Sequence, residues 1–359
     1  MDLSDYTPEA DLSRAATLPA RWYVDPAFLE LEKEKIFWRT WQPAGLTHQL
    51  LKAGDFVASE ITGEPVVVVR DTDGVLHALS NVCRHRASII ASDHGNCATL
   101  RCPYHGWTYA LDGKLLGQPE WDGVRDWDRS HALLPSYRVE PWGPFVFVNL
   151  NVSTAPLTDI LGDIPHQVSQ LGCDLNKLAY YGRRDYVIDC NWKVYIDNYL
   201  EGYHVPAAHP SLFRELDYKQ YRVNTYPYHS SHYAPLRPAS SEERRYASPD
   251  SGAGALYYWI FPNFMLNIYP DNMSSNIIVP LSHDRTLTIF EWFFYPEAGS
   301  QTPARTIAFS DEIQKEDIRL CEAVQRGLQS RTYKQGRFSV KRENGVHHFH
   351  LLVHKHLTA

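Results

Sequence analysis

The chain has 359 residues, 44% of them apolar, and a formal net charge of −7 at pH 7. This length and apolar content are enough for two or three domains with buried cores. The mild acidity argues against binding to nucleic acid or to an anionic membrane. No segment approaches the roughly eighteen apolar residues of a transmembrane helix, and the first residues lack the basic and apolar regions of a signal peptide, so we expect a cytoplasmic protein.

A helix is predicted around residues 26–41, where apolar residues recur at helical spacing. From about residue 45 the pattern changes to short strands, with hairpin turns at Asp73-Gly74 and Asp112-Gly113. The apolar run at 145–150 closes this small antiparallel β domain, and residues 151–156 are interpreted as a linker.

The remainder of the chain has strand-like runs followed by a long amphipathic helix at 309–329. We therefore predict an α+β fold that combines a small antiparallel β domain with a helix-grip domain, in which an antiparallel sheet packs against a long helix. The predicted division is an N-terminal helical segment that packs on the third part (1–44), the small β domain (45–155) and the helix-grip domain (156–359).

Two short motifs in the β domain, Cys83-Arg84-His85 and Cys102-Pro103-Tyr104-His105, offer two thiolates and two imidazoles. This is the ligand set of a Rieske [2Fe-2S] cluster, in which two His replace two Cys on one iron and raise the potential. A structural zinc site is the alternative, but zinc sites favour C-x2-C pairs. The other four cysteines, Cys97, Cys173, Cys190 and Cys321, show no disulfide framework and are expected to be buried free thiols.

Residues 191–209 contain a second pair of histidines, His204 and His209. Glu201 and His204 are three residues apart and would share one face of a helix. Pro206 would break that helix and let His209 turn toward His204. Two histidines alone remain ambiguous between metal ligands and ordinary buried or surface side chains.

Asp317 supplies a possible third ligand. It falls on the apolar stripe of the long helix, which consists of Ile313, Leu320, Cys321, Val324 and Leu328. A buried carboxylate needs either an ion-pair partner or a metal. His204, His209 and Asp317 would form a two-His-one-carboxylate triad that leaves positions on Fe(II) open for O2 and substrate. From the residues alone, an ion pair or a solvated carboxylate remains an alternative.

Together these motifs resemble the catalytic α subunits of Rieske non-haem iron oxygenases, in the family's order and over nearly the whole chain. The resemblance implies a cluster on Cys83, His85, Cys102 and His105, and iron on His204, His209 and Asp317. In that family, the acidic residue three positions before the first iron His hydrogen-bonds that His and a cluster His of the neighbouring subunit. Glu201 occupies this position, and Asp197 is the second candidate catalytic carboxylate in the segment.

Many ring-hydroxylating members carry Asp where this chain has Glu201, and the residues at 197–209 look more like the choline, carnitine and betaine monooxygenase branch. The resemblance implies a homotrimeric oxygenase component that receives electrons, ultimately from NAD(P)H, through a separate reductase or ferredoxin. The chain lacks a G-x-G-x-x-G signature and a plant-type cluster run, in agreement with a separate reductase.

The expected reaction is hydroxylation or N-demethylation of a small substrate, with a quaternary ammonium compound favoured. An aromatic-ring hydroxylase or O-demethylase would share every metal ligand and remains open. A non-enzymatic Rieske electron carrier is the third alternative, but it would leave the second site without a purpose.

Aromatic residues are dense between 221 and 295. They could line a cation–π cage for a quaternary ammonium group, or pack a sheet against a helix, which is their commoner use. The set consists of Tyr226, Tyr228, Tyr233, Tyr257, Tyr258, Trp259, Phe261, Phe264, Tyr269, Trp292 and Phe294. The C-terminal histidines, His347, His348, His350, His354 and His356, have only Glu343 as a nearby carboxylate and are expected to pack or to lie at the surface.

Overall fold

The computed structural model describes residues 1–170, 173–237, 255–269, 272–296 and 302–359. Spatial contacts group the chain into two units, Met1–Ile36 with Thr158–Ala359, and Phe37–Leu157. This grouping differs from the predicted boundary after residue 44, because Gln42–Leu46 is a strand paired with Phe145–Asn149 of the second unit. The division into functional domains at 44/45 and 155/156 stays a prediction.

The unit at 37–157 contains a seven-stranded antiparallel sheet and a three-stranded sheet. The larger sheet has the order β1-β10-β9-β4-β3-β2-β5, and the smaller has the order β6-β7-β8. The strands are β1 Gln42–Leu46, β2 Asp55–Ile61, β3 Glu64–Arg70, β4 Leu76–Ser80, β5 His94–Asn96, β6 Leu100–Arg101, β7 Thr108–Tyr109, β8 Leu115–Gly117, β9 Ser136–Trp142 and β10 Phe145–Asn149. The predicted hairpin turns lie between β3 and β4 and between β7 and β8.

The valine run of β3 explains how this unit supports two motif-bearing loops. Val66 and Val68 belong to one core, while Val67 and Val69 pack in a second core with Cys83 and Cys102. A strand buried on both faces has a continuous apolar sequence instead of an alternating one. The second core therefore holds the two cysteines in place by packing against them.

The unit formed by 1–36 and 158–359 has one seven-stranded antiparallel sheet in the order β11-β17-β16-β15-β14-β13-β12. Its strands are β11 Ala179–Ile188, β12 Arg222–Thr225, β13 His229–Ala234, β14 Ala255–Ile260, β15 Phe264–Ile268, β16 Asn272–Ser282 and β17 Arg285–Phe294. The helices are α1 Arg21–Val24, α2 Pro26–Lys35, α3 Leu157–Leu161, which straddles the boundary, α4 Ile164–Gln170, α5 Trp192–Tyr199, α6 Val205–Ala208, α7 Pro210–Glu215, α8 Thr302–Leu328 and α9 Asn344–Thr358.

Helix α8 packs on this sheet through Ile307, which contacts the aromatic side chains of β17. Its buried face differs from the predicted apolar stripe. Val324 is 51% exposed, whereas Gln314 and Gln325 are buried. Both glutamines have a polar partner: Gln314 accepts a hydrogen bond from Tyr195, and Gln325 accepts one from the backbone N–H of Asn191.

The predicted α+β class, with a small antiparallel β domain and a sheet-and-long-helix domain, is confirmed. In the described parts of the chain, no helix is long and apolar enough to cross a membrane.

Candidate active site

The two motifs of the β domain form adjacent tight loops. The first loop is closed by the backbone hydrogen bond from Cys83 N–H to Ser88 O, and the second by the bond from Cys102 N–H to Trp107 O. Gly106 adopts a φ of 71°, which L-residues with a side chain rarely adopt. A glycine after the second motif is therefore required by the turn.

The four predicted cluster ligands lie close together. The Cys83 and Cys102 side chains are buried in the same core, and the His85 and His105 ring centroids are 4.7 Å apart. His85 Nδ1 is buried and has no hydrogen-bond partner among the described residues, as expected of an atom that binds a metal. These four residues therefore fit a Rieske cluster.

Neighbouring groups set the ionisation of the two thiols. Burial raises the pKa of Cys83. Burial acts in the same direction on Cys102, but hydrogen bonds from the backbone N–H of Tyr104 and from the Cys83 side chain lower the pKa of Cys102 overall. The hydroxyl of Tyr109 lies 3.3 Å from Cys83 Sγ and accepts a hydrogen bond from the backbone N–H of Arg84. Tyr109 was not identified from the sequence.

The second unit brings His204, His209 and Asp317 together. Asp317 Oδ1 is 3.0 Å from His209 Nε2 and 3.7 Å from His204 Nε2, and the two Nε2 atoms are 3.1 Å apart. Three ligands on one face of an octahedral ion, with bonds about 2.1 Å long, would have similar separations. Within the described residues, this is the one group of three or more His, Cys, Asp or Glu side chains placed to hold a metal ion.

Each of these histidines has a carboxylate on its other nitrogen. His204 Nδ1 lies 2.5 Å from Glu201 Oε1, and His209 Nδ1 lies 2.6 Å from Glu316 Oε2. Such contacts place the proton on Nδ1 and leave the Nε2 lone pair for a metal. Glu316 was missed in the sequence analysis because its position beside Asp317 on α8 gives no distinct periodic signal.

The local backbone differs from the predicted helix. Helix α5 ends at Tyr199, and the next helix begins at Val205, so Glu201 lies in a turn. The Glu201 carboxylate accepts hydrogen bonds from the backbone N–H groups of Tyr203 and His204, which stabilise this turn. The pairing of Glu201 with His204 therefore comes from a carboxylate-closed turn and not from helical spacing.

A cavity of about 120 Å³ opens onto His204, His209 and Asp317. Its aromatic walls are Tyr195, Tyr199, Tyr221, Tyr257, Tyr269 and Phe290, and its polar walls include Asn198, Asn267, Ser274, Asn276 and Gln314. The carboxylates of Glu201 and Asp317 also line it, and no Lys or Arg does so among the described residues. The aromatic walls, with no Lys or Arg in the described part of the lining, suit a small ammonium group.

Only two of the eleven aromatic residues named from the sequence, Tyr257 and Tyr269, line this cavity. The alternation of β14 explains part of the difference: Tyr257 faces the cavity, while its neighbour Tyr258 faces away and donates to Gln167. Tyr195 and Tyr199 were missed because they are carried by α5, outside the aromatic-rich segment.

Asp197 is not among the residues that line the cavity. Its carboxylate accepts a hydrogen bond from the Tyr23 hydroxyl at 2.7 Å and lies 2.9 Å from His350 Nε2. Because His350 Nδ1 accepts from the backbone N–H of Leu18, the ring proton lies on Nε2 and points to Asp197. This geometry joins α5 to α1 and α9 and places Asp197 outside the cavity lining, and its catalytic role stays a prediction. Among the other C-terminal histidines, His347 binds the backbone carbonyl of Glu9.

Comparison with known proteins identifies the two units. Residues 40–135 match the family "Rieske [2Fe-2S] domain", and residues 175–359 match "Ring hydroxylating alpha subunit (catalytic domain)". The chain belongs to the ring-hydroxylating α subunits of Rieske non-haem iron oxygenases. It is accordingly an oxidoreductase whose cofactors are a Rieske [2Fe-2S] cluster and a mononuclear iron.

The chain is 37% identical to the chloroplastic choline monooxygenase of Arabidopsis thaliana, over 99% of this chain and 86% of the relative. It is 32% identical to the carnitine monooxygenase oxygenase subunit of Escherichia coli K12, over 96% and 94% of the two chains. A solved structure of a quaternary ammonium Rieske monooxygenase, described for carnitine oxidation and inter-subunit electron transfer, has a TM-score of 0.87 and 29% identity, with 97% of each chain covered. The predicted resemblance to the choline and carnitine branch is therefore confirmed.

Proposed function

We propose that this oxygenase component hydroxylates or N-demethylates a small quaternary ammonium compound, with O2 and electrons that come from NAD(P)H through a separate reductase or ferredoxin. The observation that carries the proposal is the tyrosine-walled cavity beside His204, His209 and Asp317. The names of the relatives, a choline and a carnitine monooxygenase, support the same substrate class.

The cavity walls supply the attraction for a cation. A quaternary ammonium group has no N–H to donate, so it is recognised by aromatic faces, at about 0.5–2 kcal/mol for each contact. Burial raises the pKa of Tyr199 and Tyr221, so both phenols stay neutral. The described part of the lining contains no Lys or Arg that would repel a cation, and the charge of Asp317 would be offset by the iron that it binds.

We assign the iron to His204, His209 and Asp317, and the cluster to Cys83, His85, Cys102 and His105. When bound, the iron supplies O2 activation and the cluster supplies electrons. Glu201 and Glu316 fix the tautomers of the two iron histidines. In the overall reaction the substrate R–H, O2, two electrons and two protons give R–OH and water, and an N-hydroxymethyl product then releases formaldehyde.

We further propose a homotrimer in which electrons pass from His105 of one subunit to the iron site of its neighbour through Glu201. His105 is exposed, and the Glu201 side chain is 12% exposed beside His204, so both groups are accessible to a second chain. The related structure described for inter-subunit electron transfer supports this arrangement.

The substrate class is tested with choline and its neutral isostere 3,3-dimethylbutan-1-ol, which replaces N⁺ by carbon. With a compatible reductase, choline should stimulate O2 uptake, and the isostere should bind at least about threefold more weakly, because it lacks the cation–π term. Formaldehyde or hydroxylated product is measured in parallel. Equal responses to both compounds, or a response to neutral aromatic compounds alone, would favour a ring hydroxylase instead.

The role of Glu201 is tested with Glu201→Gln, which retains the shape of the side chain but removes its charge. Because Glu201→Gln should also weaken iron binding at His204, the variant is loaded with excess Fe(II) and compared with the wild type at equal iron content. Oxidation of its pre-reduced cluster on adding O2 and substrate should then be at least about tenfold slower. Stopped-flow absorbance of the cluster provides the measurement. An unchanged rate at normal iron content would exclude Glu201 from the electron path.

A further inference from the structure

His232 lies on the cavity face of the sheet but does not line the cavity. Four residues lie directly opposite one another on neighbouring strands and form one row across β13 to β16. In strand order they are His232, Tyr257, Asn267 and Ser274. Directly opposite residues of antiparallel strands project from the same face, and the other three residues of this row line the cavity. His232 is 0% exposed, and the hydroxyl of Tyr221 lies 3.1 Å from its Nδ1.

Both ring nitrogens of His232 are engaged, because Nε2 lies 3.0 Å from Ser230 Oγ. Burial lowers the pKa of His232 to about 3, so the ring is neutral and offers one donor and one acceptor. If Nε2–H donates to Ser230, Nδ1 accepts from Tyr221, and the phenol oxygen keeps a lone pair that can accept from the cavity. If instead Nδ1 carries the proton, the Tyr221 hydroxyl oxygen accepts a hydrogen bond from Nδ1–H, and the Tyr221 O–H can donate into the cavity.

Tyr221 is close to the candidate iron site. It lines the cavity, and a Cβ at Gly202, two residues before His204, would lie 2.9 Å from its ring. A side chain at 202 would therefore displace this phenol. The described part of the lining offers no Lys or Arg to pair with a carboxylate, and the phenol of Tyr221 can bond a neutral hydroxyl as donor or as acceptor.

We propose that Tyr221 is a specificity-determining residue that hydrogen-bonds the hydroxyl of a quaternary amino alcohol, and that His232 and Ser230 are positioning residues for its phenol. This inference rests on the proposed function and refines it, since it separates amino alcohols from betaines within the quaternary ammonium class.

The test compares choline with ethyltrimethylammonium, which lacks only the hydroxyl, and with betaine, which replaces it by a carboxylate. Calorimetry on the metal-loaded protein gives the three dissociation constants. The wild type should bind choline about threefold to tenfold more tightly than the deoxy compound, as expected for one neutral hydrogen bond, and more tightly than betaine. Tyr221→Phe should bind choline and the deoxy compound within about twofold of each other.

Two variants of His232 test whether this side chain positions Tyr221. His232→Leu should lose most of the preference for choline over ethyltrimethylammonium. His232→Asn places an amide where Nδ1 lies and should retain that preference. If Tyr221→Phe does not retain its metals, the comparison of His232→Leu with His232→Asn tests the proposal in its place. Tyr258→Phe is the matched control, because this buried phenol lies on the same sheet but faces Gln167, and its loss should leave the preference unchanged.

Two failures can be told apart. If the wild type binds none of the three ammonium compounds, both the proposed function and this inference are contradicted. If the wild type prefers choline and Tyr221→Phe keeps that preference, the role of Tyr221 is wrong while the proposed function stands. Tighter binding of betaine than of choline would overturn the choice of a hydroxyl.

Discussion

The two candidate iron histidines differ in the carboxylate that holds each of them. Glu201 lies in the turn beside His204, whereas Glu316 is carried by the same helix as Asp317 and contacts His209. Since Glu316 has no part in the proposed electron path, its effect on metal binding can be measured separately from electron delivery.

Replacing Glu316 by Gln should weaken iron binding about tenfold to 100-fold, because a neutral amide stabilises the metal-bound imidazole of His209 less than a carboxylate does. Titration of the metal-free site with Co(II), followed by its visible absorbance, measures the affinity. Glu312→Gln is the control, because Glu312 lies one turn earlier on α8 and accepts a hydrogen bond from Ser211. Equal affinities for the wild type and Glu316→Gln would exclude a metal-positioning role.

At the cluster, Tyr109→Phe should lower the reduction potential. Burial raises the pKa of Tyr109, so its hydroxyl stays protonated and can donate to the Cys83 sulfur, which stabilises the more negative reduced cluster. One hydrogen bond of this kind corresponds to a decrease of about 20–60 mV. Redox titration followed by EPR provides the value, and Tyr137→Phe, whose hydroxyl binds Glu64, is the control. A potential unchanged within about 10 mV would contradict this role.

The residues alone made Asp317 a candidate third ligand for His204 and His209, and the resemblance to Rieske oxygenases was needed to choose a metal over an ion pair. The sequence was insufficient for Glu316, Tyr221 and His232, because their roles depend on contacts between elements and not on local patterns. The contacts of Asp197 were not predicted for the same reason: its partners, Tyr23 and His350, are distant in sequence.

At the scale of elements, a fully buried ion pair joins α2 to α5. Lys193 Nζ donates to Glu32 Oε1 at 2.6 Å, Trp192 Nε1 donates to Glu32 Oε2 at 2.7 Å, and both charged side chains are 0% exposed. Helix α5 also carries Tyr195 and Tyr199, so this pair sets the position of part of the cavity wall.

Lys193→Met should lower the free energy of unfolding by about 3–5 kcal/mol, because it leaves Glu32 buried without its counter-charge. The double variant Glu32→Leu/Lys193→Met should recover most of this loss. Urea unfolding of the metal-loaded proteins provides the measurement. Lys315→Met removes a 62% exposed lysine from its pair with Asp311 on α8 and should cost less than about 1 kcal/mol, because Asp311 keeps Arg184 and Tyr186 as partners. Similar losses in both lysine variants would show that burial of the pair is not decisive.

Element prediction succeeded where the periodicity was strong and failed where buried residues are polar. The short strands of the β domain and the long helix α8 were predicted from their patterns. Strand β13, with the sequence His-Ser-Ser-His-Tyr-Ala, was missed because its buried positions carry polar groups that hydrogen-bond one another or neighbouring elements. The helix predicted through Glu201 and His204 is instead a turn, because the Glu201 carboxylate competes for backbone N–H groups.

At the scale of the whole molecule, the cluster and the iron that work together in the proposed trimer belong to different chains. Electrons pass from the cluster of one chain to the iron of the next. Two inactive variants are informative here. Cys102→Ser removes a cluster ligand and leaves His204, His209 and Asp317 in place. Asp317→Ala should lose the mononuclear iron and retain about two irons per chain in the cluster.

Co-expression of these two variants should restore activity that neither has alone. In a cyclic trimer with directed interfaces, each mixed trimer contains one interface at which an intact cluster faces an intact iron site. Equal amounts of the two chains give mixed species in about three quarters of the trimers, so turnover should reach about a quarter of the wild-type value. Reductase-coupled O2 uptake measures it, and separately purified variants mixed without subunit exchange are the control. If electrons instead stayed within one chain, every mixed trimer would be inactive, because each chain lacks either its cluster or its iron.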